Sequence, residues 1–245
     1  MKEKKGQLTI FIIIAIFIIG GVLIFFVLKT GLIKQPLSPE AENIYSLVQS
    51  CIEQEGIKTI YTIGKNGGYF FPPEFSTESG VTYYYSGGKS YMPSKEEIEN
   101  EISFYLSEIL FFCTRNFVDF QDLEIKQREI KTETEIKNEE VVLNINYPIT
   151  IIKEESTSVI EDFKLEIPVR LGIVYDSVAE IIQEQLTSEG ICLSCLLDIS
   201  LKYDLYVDMM DYDEETTIFI FRDENSKINN ETFVWIFANK YGVGK

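Results

Sequence analysis

The chain has 245 residues, a formal net charge of −17 and no histidine, which excludes catalytic triads and dyads built on imidazole and most zinc sites. Lys2, Lys4, Lys5, Lys29 and Lys34 share the first 34 residues with one acid, Glu3, so the remaining 211 carry 17 basic and 38 acidic side chains, a net of −21. A polyanion of that size argues against nonspecific binding of nucleic acid or of anionic lipid headgroups.

In chain order, the first element is Leu8 to Leu28, twenty-one residues without a charge and with one polar side chain, Thr9. As a helix it is a rod of about 31 Å, against a bilayer hydrocarbon core of about 30 Å. It is therefore predicted to be a transmembrane helix whose partner is the lipid bilayer. Residues 1–7 form a positive flank that predicts a cytoplasmic N-terminus and an exported C-terminal domain. The apolar run is too long for a secretory signal peptide and lacks a small-x-small cleavage pattern after its core.

Lys4-Lys5-Gly6-Gln7, set directly before this helix, resembles the leader of archaeal type IV pilin-like proteins. The resemblance covers about the first 28 residues. It implies cleavage between Gly6 and Gln7 by a prepilin peptidase, which leaves the apolar helix on the mature chain for the bilayer or for a filament core. Many pilins carry a glutamate at the fifth mature position, where this chain has Phe11. An uncleaved signal anchor is the alternative.

After a linker, residues 29–39, the domain of residues 40–245 reads as a single acidic α+β unit. Ser38-Pro39-Glu40 has the pattern of a helix start, and Ile44, Leu47, Val48, Cys51 and Ile52 continue at helical spacing to about Gly64. Asn66-Gly67-Gly68 is a turn signal. From Tyr69 to Tyr91 the chain is aromatic-rich and reads as short strands. Consecutive aromatics must point to both faces of a strand, so Tyr83, Tyr84, Tyr85 and Tyr91 are the candidate binding surface.

Ser94 to Glu97 matches a capping box and opens a helix with Ile98, Ile102, Tyr105, Leu106, Ile109, Phe112 and Cys113 inward. Strands come next at Leu123 to Thr134, Val141 to Ile152 and Phe163 to Val169 as an antiparallel meander, with turns at Lys137-Asn138 and around Ser156-Thr157-Ser158. Helices are predicted over Gly172 to Thr187 and from Gly190 to Lys202. The last strands are Leu205 to Met210, Thr216 to Arg222 and Thr232 to Asn239, and the last of these is apolar on both faces, as for a central covered strand. The expected fold is α+β: a transmembrane helix, then antiparallel sheet or sheets packed by about four helices.

The four cysteines form the disulfide candidates. Cys51 and Cys113 lie on apolar faces of two predicted helices, which suits an interhelical bridge; two buried free thiols are the alternative. Cys192-Leu193-Ser194-Cys195 has redox and zinc-knuckle spacing but stands in an apolar run without a neighbouring cation, which favours a structural role. Asp208, Asp211, Asp213, Glu214 and Glu215 crowd one turn but lack the glycine and glutamate of an EF-hand loop, so a solvated acidic turn is expected and no metal site. Asn230-Glu231-Thr232 is a glycosylation sequon.

No nucleophile has a visible base beside it, so no catalytic residue and no cofactor are expected. The leading expectation is a membrane-anchored, surface-displayed domain with a structural, adhesive or pilin-like role, partnered by itself or by other surface proteins and not by nucleic acid. An envelope-anchored thiol redox or accessory factor using Cys192 and Cys195 is the alternative.

Overall fold

The computed structural model describes residues 13–22, 38–188, 190–228 and 230–242. Gly6, Gln7, Phe11, the ends of the Leu8 to Leu28 run and most of the linker lie outside the described residues. Residues 13–22 are helical, and Ile16, Phe17 and Ile18 among them are exposed. Among the described residues no helix is long and apolar enough to cross a membrane. The chain divides into two units between Glu40 and Ala41, and the second is an α+β fold with two sheets, one mixed and one antiparallel.

Helix α1, Pro39–Lys65, lies along both sheets of that second unit. Its inward residues Ile44, Val48, Ile52, Ile60 and Ile63 are fully buried. Tyr45 stacks on Phe163 of the antiparallel sheet with centroids 5.0 Å apart, and Tyr61 meets Phe233 of the mixed sheet edge-on at 5.9 Å. Two glycines permit the approach. A Cβ on Gly56 would stand 3.0 Å from Leu165 Cδ2, whereas one on Gly64 would stand 2.3 Å from the carbonyl oxygen of Val234. A leucine methyl can move and a strand carbonyl cannot. Gly64→Ala is therefore expected to cost about 3 kcal/mol by urea denaturation. Gly56→Ala should be close to neutral, because relief of glycine's helix cost, about 1 kcal/mol, offsets the crowding. The helix ends in a Schellman arrangement: Gly68 N–H donates to Ile63 O (2.8 Å), with Gly67 left-handed at φ 60°.

The antiparallel sheet is built on β5, Val141–Lys153. Along one edge runs β6, Ser156–Ile167, and along the other lie β3, Glu124–Gln127, and β4, Lys131–Ile136, end to end. The strand expected at Leu123 to Thr134 is thus split in two. The break faces Tyr147-Pro148, where the β5–β6 register also shifts. Proline cannot donate to a ladder, so a proline in a central strand comes with a bulge. Arg128 N–H donates to Pro148 O at 3.0 Å across the break. The third strand begins earlier than expected, because Ser156 pairs with Lys153 and the turn falls on Glu154-Glu155, with Glu154 at φ 55°.

Helix α2, Lys95–Cys113, covers the outer edge of β4. Ser107 Oγ accepts from Thr132 N–H (3.1 Å) and Glu99 Oε1 from Ile136 N–H (2.8 Å), so backbone donors of that edge end on helix side chains. The capping box forms as expected: Ser94 Oγ accepts from Glu97 N–H (3.2 Å) and Glu97 Oε2 from Ser94 N–H (2.7 Å). Ser94→Ala should cost about 1 kcal/mol. The Ser94 backbone N–H, more than its hydroxyl, holds the Glu97 carboxyl below its usual 4.5. Glu97 therefore contributes fully above pH 4.5, and that contribution is lost as pH falls through its lowered folded value. Denaturation curves below pH 4.5 check this, since Glu97→Gln should lack that part of the acid loss.

The second sheet has the order β2, β1, β9, β8, β7. Its strands are β1, Tyr83–Ser86; β2, Lys89–Ser90; β7, Tyr206–Asp211; β8, Thr216–Ile228; and β9, Glu231–Lys240. Here β1 runs parallel to β9, with Tyr83 opposite Ala238, so the sheet is mixed where antiparallel pairing was expected. Local periodicity cannot reveal a pairing between segments so distant in sequence. Strand β9 is central, as its two-sided apolar pattern required, with Phe233, Trp235 and Phe237 fully buried and Val234 and Ile236 half-buried on the opposite face. Helices α3, Leu171–Thr187, and α4, Leu193–Tyr203, complete the domain and pack on each other.

Candidate functional site

The aromatic surface expected at Tyr83, Tyr84, Tyr85 and Tyr91 is only partly a surface. Tyr84 is fully buried, stacked on Phe237 at 4.7 Å, and burial pushes its hydroxyl well above its ordinary pKa. Because β1 adds to the sheet beside β9, its second residue, Tyr84, turns into the core. Tyr83 and Tyr85 are half-buried on the other face, beside Phe75 and Tyr241. Tyr91 is exposed but leans on Phe75 at 4.6 Å.

A larger apolar surface lies on α2. Phe104 and Phe112 are 69% and 66% exposed, and with Phe111 they border a groove of about 670 Å³ whose other wall is Gln127 to Thr132, the broken edge strand. Phe112 was expected inward. The helix instead buries the stripe Ile98, Ile102, Leu106 and Leu110, which turns Phe112 outward. Phe104 and Phe111, seven residues apart and off that stripe, were the signal available in the sequence.

All four cysteines are in disulfides. Cys51 and Cys113 pair across α1 and α2 with Cα atoms 5.9 Å apart, an ordinary span. Cys192 and Cys195 pair locally, at the start of α4. Cys192 is the N-cap of that helix, and the Cys195 N–H donates to its Sγ at 3.2 Å. Both residues are half-buried, and between and beyond them Leu193, Leu197 and Leu201 are 63%, 60% and 73% exposed.

The backbone leading into Cys192 is held from beneath. Gly190 O accepts from Gln185 Nε2 (3.2 Å) and from Ser188 Oγ (3.0 Å). Gln185 Oε1 accepts from the Tyr241 hydroxyl (2.9 Å), which in turn accepts from Asn239 Nδ2 (3.3 Å). Burial pushes the Tyr241 hydroxyl up to about 12, so it remains a donor throughout the physiological range.

The acidic turn is a turn. Asp213 Oδ1 accepts from the N–H groups of Glu215 (2.8 Å) and Thr216 (2.7 Å), and the Glu215 bond is the main cause that holds its carboxyl below the usual value. Asp208 pairs with Arg222 at 2.9 Å. Among the described residues no three acids, cysteines or histidines are placed to hold a metal ion. Asn230 is exposed in the β8–β9 turn at φ 66°, a left-handed conformation that asparagine tolerates and that presents the sequon to solvent.

The chain matches no protein family, no curated protein and no solved structure with which it was compared.

Proposed function

We propose that this protein is a membrane-anchored domain displayed outside the cell, with a structural, adhesive or pilin-like role and no catalysis of hydrolytic or acid–base type. The observation that carries the reading is the joining of an uninterrupted apolar run, Leu8 to Leu28, to an acidic domain whose four cysteines are all oxidised. Disulfides of this kind persist in oxidising compartments, and a long uncharged run behind Lys2, Lys4 and Lys5 directs the downstream chain outward. The exposed face of α2, with Phe104, Phe111 and Phe112, is an apolar surface that self-assembly or contact with another surface protein would bury. Asn230, exposed in the β8–β9 turn, offers a glycosylation site on the same domain.

Microscopy of intact cells with the domain labelled tests this reading. A label along filaments supports the pilin-like form, a continuous rim at the membrane supports the isolated anchor, and a cytoplasmic label overturns both. Intact-mass measurement of membrane-extracted protein separates the two anchored forms: a chain beginning at Gln7 has been processed at Gly6, and one beginning at Met1 is a signal anchor.

A further inference from the structure

We infer that Cys192 and Cys195 form a thiol–disulfide exchange site that accepts two electrons from the dithiol of a reduced polypeptide. This goes beyond the anchoring role and does not depend on whether the leader is cleaved.

The two disulfides differ in what they can do for the fold. Cys51–Cys113 closes 62 residues and joins two helices, whereas Cys192–Cys195 closes three residues within one turn and constrains little chain. Its placement suits exchange. Cys192 caps an eleven-residue helix, so a thiolate formed there faces the positive end of the helix dipole and keeps the Cys195 N–H as a donor. Helix N-termini lower thiol pKa values, and a stabilised reduced form makes the oxidised pair a better electron acceptor. The start of α4 thus supplies the stabilisation of the reduced pair, against the opposing carboxylate of Glu184, which lines the same small pocket as Cys192 and Cys195. The hydrogen bonds from Gln185 and Ser188 to Gly190 fix the backbone before the pair, so its sulfurs stay in place when the bond opens.

The surroundings select the partner. Leu193 stands between the cysteines and Leu197 one turn beyond, both exposed, while the domain around them is strongly acidic. That combination favours an unfolded, neutral or cationic polypeptide with apolar side chains and disfavours anionic glutathione.

The exchange balances in atoms and electrons. A thiolate of the partner attacks Cys192 Sγ, the Cys192–Cys195 bond breaks, and Cys195 leaves as a thiolate that takes up a proton. The partner's second thiol loses its proton and attacks the partner's own sulfur in the mixed disulfide, which releases Cys192. The partner dithiol is oxidised to a disulfide, the Cys192–Cys195 pair is reduced to two thiols, and two protons pass from one to the other.

The test uses the full chain and a reduced synthetic peptide carrying two cysteines among leucine and lysine residues, with glutathione at equal thiol concentration as the comparison. Alkylation and then peptide mapping read which cysteines open. The expected result is reduction of Cys192 and Cys195 with Cys51–Cys113 intact, oxidation of the peptide, and a rate at least about tenfold above that with glutathione. In the reduced protein, Cys192 should alkylate well below the ordinary thiol pKa of about 8.5 while Cys195 does not. Cys195→Ser incubated with the oxidised peptide should trap a mixed disulfide on Cys192, and Cys192→Ser should trap none. A pair that opens no faster than Cys51–Cys113, or a Cys192 that alkylates like an ordinary thiol, overturns the inference. An equal rate with glutathione overturns the choice of partner.

Discussion

Replacing Cys51 and Cys113 together by alanine is expected to cost about 4 kcal/mol, the loop-closure entropy that a 62-residue span restores to the unfolded chain. For a domain of this size that lowers the melting temperature by roughly 10 °C. The loss should not be uniform. Cys113 is the last residue of α2, and α2 is the cover over the β4 edge, where Thr132 and Ile136 donate to Ser107 and Glu99. Without the bridge, the C-terminal end of α2 is held by packing of Leu106, Ile109 and Leu110 and by the Ser107 bonds to Thr132, while Phe111 and Phe112 beside them already face solvent. Fraying there uncovers strand donors beside an apolar surface that is already exposed, a combination that favours edge-to-edge association. Hydrogen exchange on the double variant should show lost protection at Thr132 first, and light scattering should rise before global unfolding. The same replacement at Cys192 and Cys195 should cost under about 2 kcal/mol, since that loop is only three residues long. Equal losses for the two pairs would show that the long span contributes nothing as a constraint.

The pattern of what was legible in the sequence tracks the range of the forces involved. Ser94 and Glu97 announced the α2 cap because both partners lie within one helical turn, and Gly67-Gly68 announced the end of α1 because a left-handed residue is needed there. The Cys51–Cys113 bridge was visible as two thiols on inward helix faces. Strand β9 was visible as central from its own apolar residues. The parallel neighbour β1 was not, since nothing in Tyr83 to Ser86 encodes a partner at Ala238 to Lys240. That one pairing removed Tyr84 from the expected binding surface. The redox-spaced pair was recognised, but not that Cys192 is an N-cap, a matter of a single residue at a helix boundary. The buried cation partner of Asp223 was missed altogether, because Arg170 lies 53 residues away along the chain.

Asp223→Ala is expected to cost about 3 to 5 kcal/mol, the loss incurred when one partner of a buried pair is removed. The Asp223 side chain is fully buried and that of Arg170 is 15% exposed. Arg170 Nε donates to Asp223 Oδ2 at 3.0 Å and Nη2 to Oδ1, a fork matched to the carboxylate, while the Asp223 bond holds the guanidinium above its ordinary pKa. Three segments meet there. The same Nη2 donates to the carbonyls of Tyr203 (3.4 Å) and Asp204 (3.1 Å) at the end of α4, and Arg170 N–H donates to Ser226 Oγ (2.8 Å). Ser226 and the Asn225 N–H also donate to Asp223, where the β8–β9 register shifts. Alanine at 223 leaves a guanidinium, a hydroxyl and an amide without their acceptor at once. Asp223→Asn keeps one oxygen and the shape, so its loss should be nearer about 2 kcal/mol. The double change Arg170→Met with Asp223→Leu tests the cause, since replacing both charges by apolar groups of similar volume is often neutral, and it should recover most of the loss. If the double variant is as unstable as Asp223→Ala, the damage lies in the freed carbonyls of α4 and the β8 bulge rather than in the stranded charge. Denaturant midpoints for the three variants, taken at one pH and salt, decide between these two causes.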